Sequence, residues 1–130
     1  MKQYTPDELQ QVSPLVLAYI GDGVYELAVR QHLLEQGLMK AGVLHSETIR
    51  YVNAERQSQL LGDIERFLTE QELAVFRRGR NAKSGHQPPH ARVVDYRRAT
   101  GIEALIGWLY LTGQEGRLQV IFEQLFAKEI

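Results

Sequence analysis

The stretch LAYIGDGVYELAV, Leu17 to Val29, decides how this chain of 130 residues folds. Apolar residues crowd it on every side, so it reads as a helix packed into a protein interior. Yet Asp22 sits in its middle between Gly21 and Gly23. Each glycine costs a helix interior about 1 kcal/mol against alanine, and a carboxylate buried without a partner costs several kcal/mol more. At 100° per residue, Leu15, Ala18, Glu26, Val29 and Leu33 share the face of Asp22, whereas Leu17, Ile20, Val24 and Leu27 lie opposite. Such a helix belongs at the centre of a bundle, with Asp22 shielded from bulk water unless a cleft opens there. Ser13 and Pro14 supply its start and Gly37 its stop, a length of roughly 33 Å at 1.5 Å per residue.

A second segment has the same character. IEALIGWLYL, Ile102 to Leu111, carries one carboxylate, Glu103, with Gly107 one turn later. Two apolar helices, each with an acid beside small residues, can approach closely and hold a hard cation. Mg²⁺ takes oxygen ligands and keeps several waters, so one or two carboxylates suffice. A metal so held activates water and neutralises charge on a phosphodiester. The same residues admit a plainer reading, in which each acid pairs with an arginine or lysine. Glu26, one turn beyond Asp22, is either a third ligand or the partner of Arg30 at i,i+4.

Around these two helices the chain reads as all-α. Thr5, Pro6 and Glu8 form a capping box with proline at the first helical position. Helical pattern covers about Leu44 to Leu61 and again Asp63 to Leu68. Thr69 and Glu72 form a second capping box, opening a helix from Glu70 to about Arg78. Residues 79–92, GRNAKSGHQPPHAR, are a loop by their glycines and prolines. Helix resumes from Val94 to Gly113, and RLQVIFEQLFAKE supplies a final amphipathic one. No run alternates with period two, and there are no repeats. The length suggests a single domain spanning residues 1–130. With no cysteine, disulfides and thiolate metal sites are excluded. No apolar run reads as a membrane span or a secretory signal, so the expected compartment is the cytoplasm.

The formal net charge of −1 hides an asymmetry. From Arg77 to Arg98 there are seven cations (Arg77, Arg78, Arg80, Lys83, Arg92, Arg97, Arg98) and one acid, Asp95. With Asn81, Ser84, His86, His90 and Tyr96 interleaved, the segment is a candidate phosphate-contacting surface; a solvated loop with scattered ion pairs is the alternative. The string GRNAKSG is not a phosphate-binding P-loop, because Ala82 stands where that motif has glycine and no strand precedes it. His86 and His90 have zinc-like spacing, but Pro88 and Pro89 prevent the helix that would align them.

Three motifs in order, LAYIGDGVYELAV, GRNAKSG…ARVVDYRRATG and ATGIEALIGWLYL, resemble the ribonuclease III family, and with the short length they resemble its small Mini-ribonuclease III branch. The resemblance covers nearly the whole chain. It implies a ribonuclease III-type helical endonuclease domain, homodimeric, without a separate double-stranded RNA-binding domain. Asp22 matches the family's catalytic, metal-binding aspartate and Glu103 its metal-bridging glutamate. Larger members carry further acids where this chain has Ala18 and Thr100, which makes Glu26 the natural candidate to compensate. The implied activity is Mg²⁺-dependent cleavage of double-stranded RNA, with Mn²⁺ a candidate substitute. The implied substrate is the large-subunit (23S) rRNA precursor, and a ribosomal-protein helper is a candidate partner. Two rivals stand beside this reading: a non-catalytic duplex-RNA-binding or ribosome-assembly protein of the same fold, and a helical dimerisation module without an RNA role.

Overall fold

The computed structural model describes residues 1–62, 64–83 and 92–127, with Ala54, Leu60 and Leu61 described by backbone alone. Seven α-helices follow one another among the described residues, and no strand occurs there: α1 Pro6–Leu9, α2 Pro14–Glu35, α3 Ala41–Val52, α4 Ala54–Leu61, α5 Glu70–Asn81, α6 Val93–Leu111 and α7 Glu115–Phe126. A single 3₁₀ turn, Ile64–Arg66, links α4 to α5.

Local chemistry sets most of these boundaries. The Thr5 hydroxyl accepts the Glu8 N–H at 3.2 Å while the Glu8 carboxylate accepts the Thr5 N–H at 3.1 Å. Thr69 and Glu72 repeat that reciprocal box at the start of α5. Helix α2 opens on Pro14, with the Ser13 hydroxyl accepting from Leu15 N–H. It closes on Gly37 at φ +93, where Leu38 N–H reaches back to the Leu33 carbonyl and Gly37 N–H to that of Leu34. Gly113 at φ +73 ends α6 through the same pair of bonds, from Gln114 to Leu109 and from Gly113 to Tyr110. Both are closures that a side chain at the left-handed position would strain.

Some boundaries differ from those expected. The helix read over Leu44 to Leu61 starts earlier, at Ala41, and is two helices. Asn53 is extended at ψ 152, and its side-chain carbonyl accepts the Arg56 N–H at 2.8 Å. A short polar side chain thus takes a donor that a continuous helix would have used. The helix read over Asp63 to Leu68 is only the 3₁₀ turn, with Asp63 itself outside the described residues. Helix α5 runs one turn further than expected, to Asn81.

Helix α6 is the centre of the bundle. Eleven of its nineteen residues are buried, from Asp95 through Ile102, Leu105 and Ile106 to Leu109. It packs against α2, α5 and α4, around a core that includes Leu17, Tyr25, Val29, Leu33, Phe76 and Ile121. The expectation that α2 is buried all round is corrected. One face of α2 is buried, whereas Val16, Tyr19, Leu27 and Leu34 on its outer face are exposed, Tyr19 at 78%. Helix α6, not α2, takes the enclosed position.

Candidate active site

Glycine sets the meeting of α2 and α6. A Cβ built on Gly21 would run into the Glu103 carbonyl oxygen and lie 2.8 Å from the Gly107 nitrogen. One built on Gly107 would run into the Leu17 carbonyl and lie 3.0 Å from the Gly21 nitrogen. The two backbones therefore touch. Gly23, by contrast, would meet nothing within 4 Å among the described residues. The two glycines flanking Asp22 thus have different causes: Gly21 is required by close packing, and Gly23 lies on the open side.

Asp22 follows Gly21 directly, and Glu103 lies one turn before Gly107, so the crossing carries both carboxyl groups. Asp22 is exposed and Glu103 partly buried, and their side chains hydrogen-bond to each other. Burial pushes the Glu103 carboxyl up to about 9, and the bond to Asp22 and its negative charge add to the rise. Among the described residues neither acid is paired with a lysine or arginine. The plainer reading, each acid locked to a guanidinium, does not describe this geometry. Asp22 also does not need a cleft to reach water, because its edge of α2 is open.

The other acids near the site are placed differently. Glu26 lies 3.4 Å from the exposed Arg30 guanidinium in the i,i+4 arrangement. Ala18 is buried on the packed face of α2, and the buried Thr100 returns its hydroxyl to the Tyr96 carbonyl at 2.9 Å. No group of three or more His, Asp or Glu side chains suited to a metal occurs among the described residues. The donor set is the pair Asp22 and Glu103. Two neighbouring carboxyls, with Glu103 raised by burial and by the negative charge of Asp22, are a fitting seat for a hard divalent cation, whose charge would favour the ionised form of Glu103.

The basic segment divides into cations bonded within the fold and cations left outside. Arg98 is partly buried and donates to the Gly62 carbonyl at 2.8 Å and to the Ser58 hydroxyl at 3.2 Å, tying α6 to the end of α4. Arg78 donates to the Val12 carbonyl at 3.4 Å. The half-buried Arg80 bonds Asn81 and lies over the Phe76 ring. Arg77, Lys83, Arg92 and Arg97 are exposed, as is Asn81, and Tyr96 is half-buried. Ser84 and His86 lie outside the described residues. The last turns of α5 reach the neighbourhood of the crossing through Gly79, where a Cβ would stand 2.7 Å from Ala104 Cβ and 3.1 Å from the Thr100 carbonyl. The exposed cations lie along the two helices that meet there, Arg77 on α5 and Lys83 just past its end, Arg92 at the start of α6 and Arg97 within its first half.

Sequence reasoning missed a buried ion pair. Glu72, 3% exposed, receives Arg117 at 2.7 and 2.8 Å, and the same guanidinium caps the Phe67 carbonyl and lies over the Phe67 ring. The capping box revealed Glu72, but nothing in the spacing of residues 72 and 117 links them.

Comparison with known proteins bears on the fold and the family. Residues 15–114 match the model of the ribonuclease III domain. A Mini-ribonuclease 3 from Brevibacillus brevis is 50% identical over 115 residues, covering 88% of this chain and 86% of that protein. One from Desulfitobacterium hafniense is 51% identical over 120 residues, covering 92% and 76%. A crystal structure of a Fusobacterium nucleatum protein superposes with a TM-score of 0.82 at 30% identity, covering 95% of this chain and 98% of that one. No helix among the described residues is long and apolar enough to cross a membrane. With the family model spanning most of its length and relatives at half identity, the chain belongs to the ribonuclease III family.

Proposed function

We propose that this protein is an endoribonuclease that cleaves double-stranded RNA by divalent-metal-dependent phosphodiester hydrolysis. The observation that carries the reading is the pair of touching carboxyls at the α2–α6 crossing, left without a cation of the protein's own among the described residues. Asp22 and Glu103 would hold Mg²⁺, with Mn²⁺ able to substitute. When bound, the ion would activate water and neutralise charge developing on the scissile phosphate. The protein's own part is to hold the two acids on rigid helices and to give up the proton that burial favours on Glu103. The exposed cations Arg77, Lys83, Arg92 and Arg97, with the half-buried Arg80 beside them, would grip phosphates along the duplex. That is a task of shape and charge more than of sequence.

The working form we propose is a homodimer in which each protomer cuts one strand. The exposed stripe Val16, Tyr19, Leu27 and Leu34 on α2 supports it, with the bare Gly23 in its midst allowing close approach. Precursor rRNA of the large subunit is the substrate we assign, on the strength of the family branch. A second reading, a duplex-RNA-binding protein without catalysis, draws on Ala18 and Thr100, buried and uncharged beside the site. Incubation with duplex RNA and Mg²⁺, then with excess chelator, separates the two. Cleavage that stops on chelation is expected; binding without any cleavage would favour the second reading.

A further inference from the structure

We infer that Gly107 is a positioning residue whose missing side chain sets the separation of the Asp22 and Glu103 carboxyls, and so the fit of the divalent cation. The inference rests on the metal-dependent reading above and goes beyond it. Helix interiors disfavour glycine, and α6 is otherwise built of bulky apolar residues around this point, Ile106, Trp108 and Leu109. The groups that a Cβ on Gly107 would meet are the Leu17 carbonyl and the Gly21 nitrogen, both of them backbone. A flexible neighbour could rotate aside, but a helix backbone cannot. Any side chain at position 107 must therefore move α6 bodily away from α2.

That movement would fall on the carboxyls. Leu17 and Gly21 belong to successive turns of one rigid helix, with Asp22 next to Gly21, and Glu103 and Gly107 belong to successive turns of the other. Widening the crossing at 107 widens the gap between Asp22 and Glu103, which have only their side-chain lengths to bridge it. The second crossing on α6 offers a control. Gly79 on α5 meets the Ala104 Cβ, Gly101 and the Thr100 carbonyl, so Gly79→Ala adds the same methyl to a crossing that does not separate the two acids.

The test uses the full chain and follows Mn²⁺ binding by water-proton relaxation, alongside cleavage of duplex RNA across a Mg²⁺ titration. Misplacing a reacting group by about 1 Å can cost on the order of 100-fold. Gly107→Ala is expected to weaken Mn²⁺ binding at least tenfold and to lower kcat about 100-fold, with duplex affinity unchanged. Gly79→Ala should leave Mn²⁺ affinity within twofold of the parent in its folded fraction. Adding Asp22→Glu to Gly107→Ala should restore part of the Mn²⁺ affinity, because the longer side chain spans the wider gap. Asp22→Glu alone, an exposed change that spares the core, should weaken Mn²⁺ binding at least tenfold, since the touching backbones leave no room for adjustment. Parent-like Mn²⁺ affinity in Gly107→Ala, or in Asp22→Glu alone, overturns the inference. So does equal weakening in Gly107→Ala and Gly79→Ala. A parent protein that neither binds Mn²⁺ nor cleaves would instead sink the metal-dependent reading itself.

Discussion

Two glutamates of this protein are taken out of water in opposite ways. Glu72, almost fully buried, is met by the Arg117 guanidinium and by the Thr69 N–H. Burial alone would raise its carboxyl, but those donors outweigh it and hold the group below the usual carboxylate range. Glu103, less buried, faces another acid, and its carboxyl is pushed up to about 9. The first arrangement satisfies a charge within the fold. The second leaves negative charge that only a proton or an added cation can balance. The contrast separates an acid that holds helices together from an acid suited to chemistry.

The strongest way to break this contrast is to neutralise the acidic pair. Asp22→Asn or Glu103→Gln should lower the cleavage rate about a thousandfold, since a metal's charge stabilisation is worth several kcal/mol. Binding of uncleaved duplex, measured by gel shift, should persist. Unaltered cleavage by either pure variant would remove the pair from the mechanism. On the other side, Arg117→Ala strands a buried carboxylate and should cost about 3 kcal/mol of stability. Denaturant unfolding measures that loss, while activity per folded molecule should stay near the parent's.

The cations extend the comparison. Arg98 is used inside the fold, so Arg98→Ala should cost about 2 kcal/mol, the range for a charged hydrogen bond. Replacing the exposed Arg77 and Arg97 together should leave stability unchanged. It should also reduce the salt slope of duplex binding, by about one unit for each phosphate no longer neutralised. A slope equal to the parent's would place the RNA elsewhere.

The smallest effect concerns pH. Between the ordinary value of an unfolded glutamate near 4.5 and the folded value of about 9, the native state keeps a proton that the unfolded chain has released. Metal-free stability should therefore fall as pH rises through that window. Glu103→Gln should flatten the fall, and Glu72→Gln should not. Thermal unfolding at pH 5, 7 and 9 without metal checks both.

Much of this was legible from residue types alone. The capping boxes at Thr5 and Thr69, the stop at Gly37 and the two acid-bearing apolar helices are local signals, carried within a few positions of each other. The break at Asn53 was not read, because the apolar pattern running across it looks like one continuous helix. The exposure of the outer face of α2 was not legible. Apolar residues all round a helix look the same whether they meet a core or an uncovered surface.

The sequence by itself determined that the chain is helical, where most helices start and stop, and that Asp22 and Glu103 are out of place among apolar neighbours. Those features follow from hydrogen bonds and periodicity spanning a turn or two. Only the tertiary structure decided that the two acids touch, that Gly21 and Gly107 bring them together, and that Arg98 and Arg117 are used internally. Residues 21 and 107, 62 and 98, and 72 and 117 are far apart along the chain. Their meeting depends on how whole helices cross, which local preference does not encode.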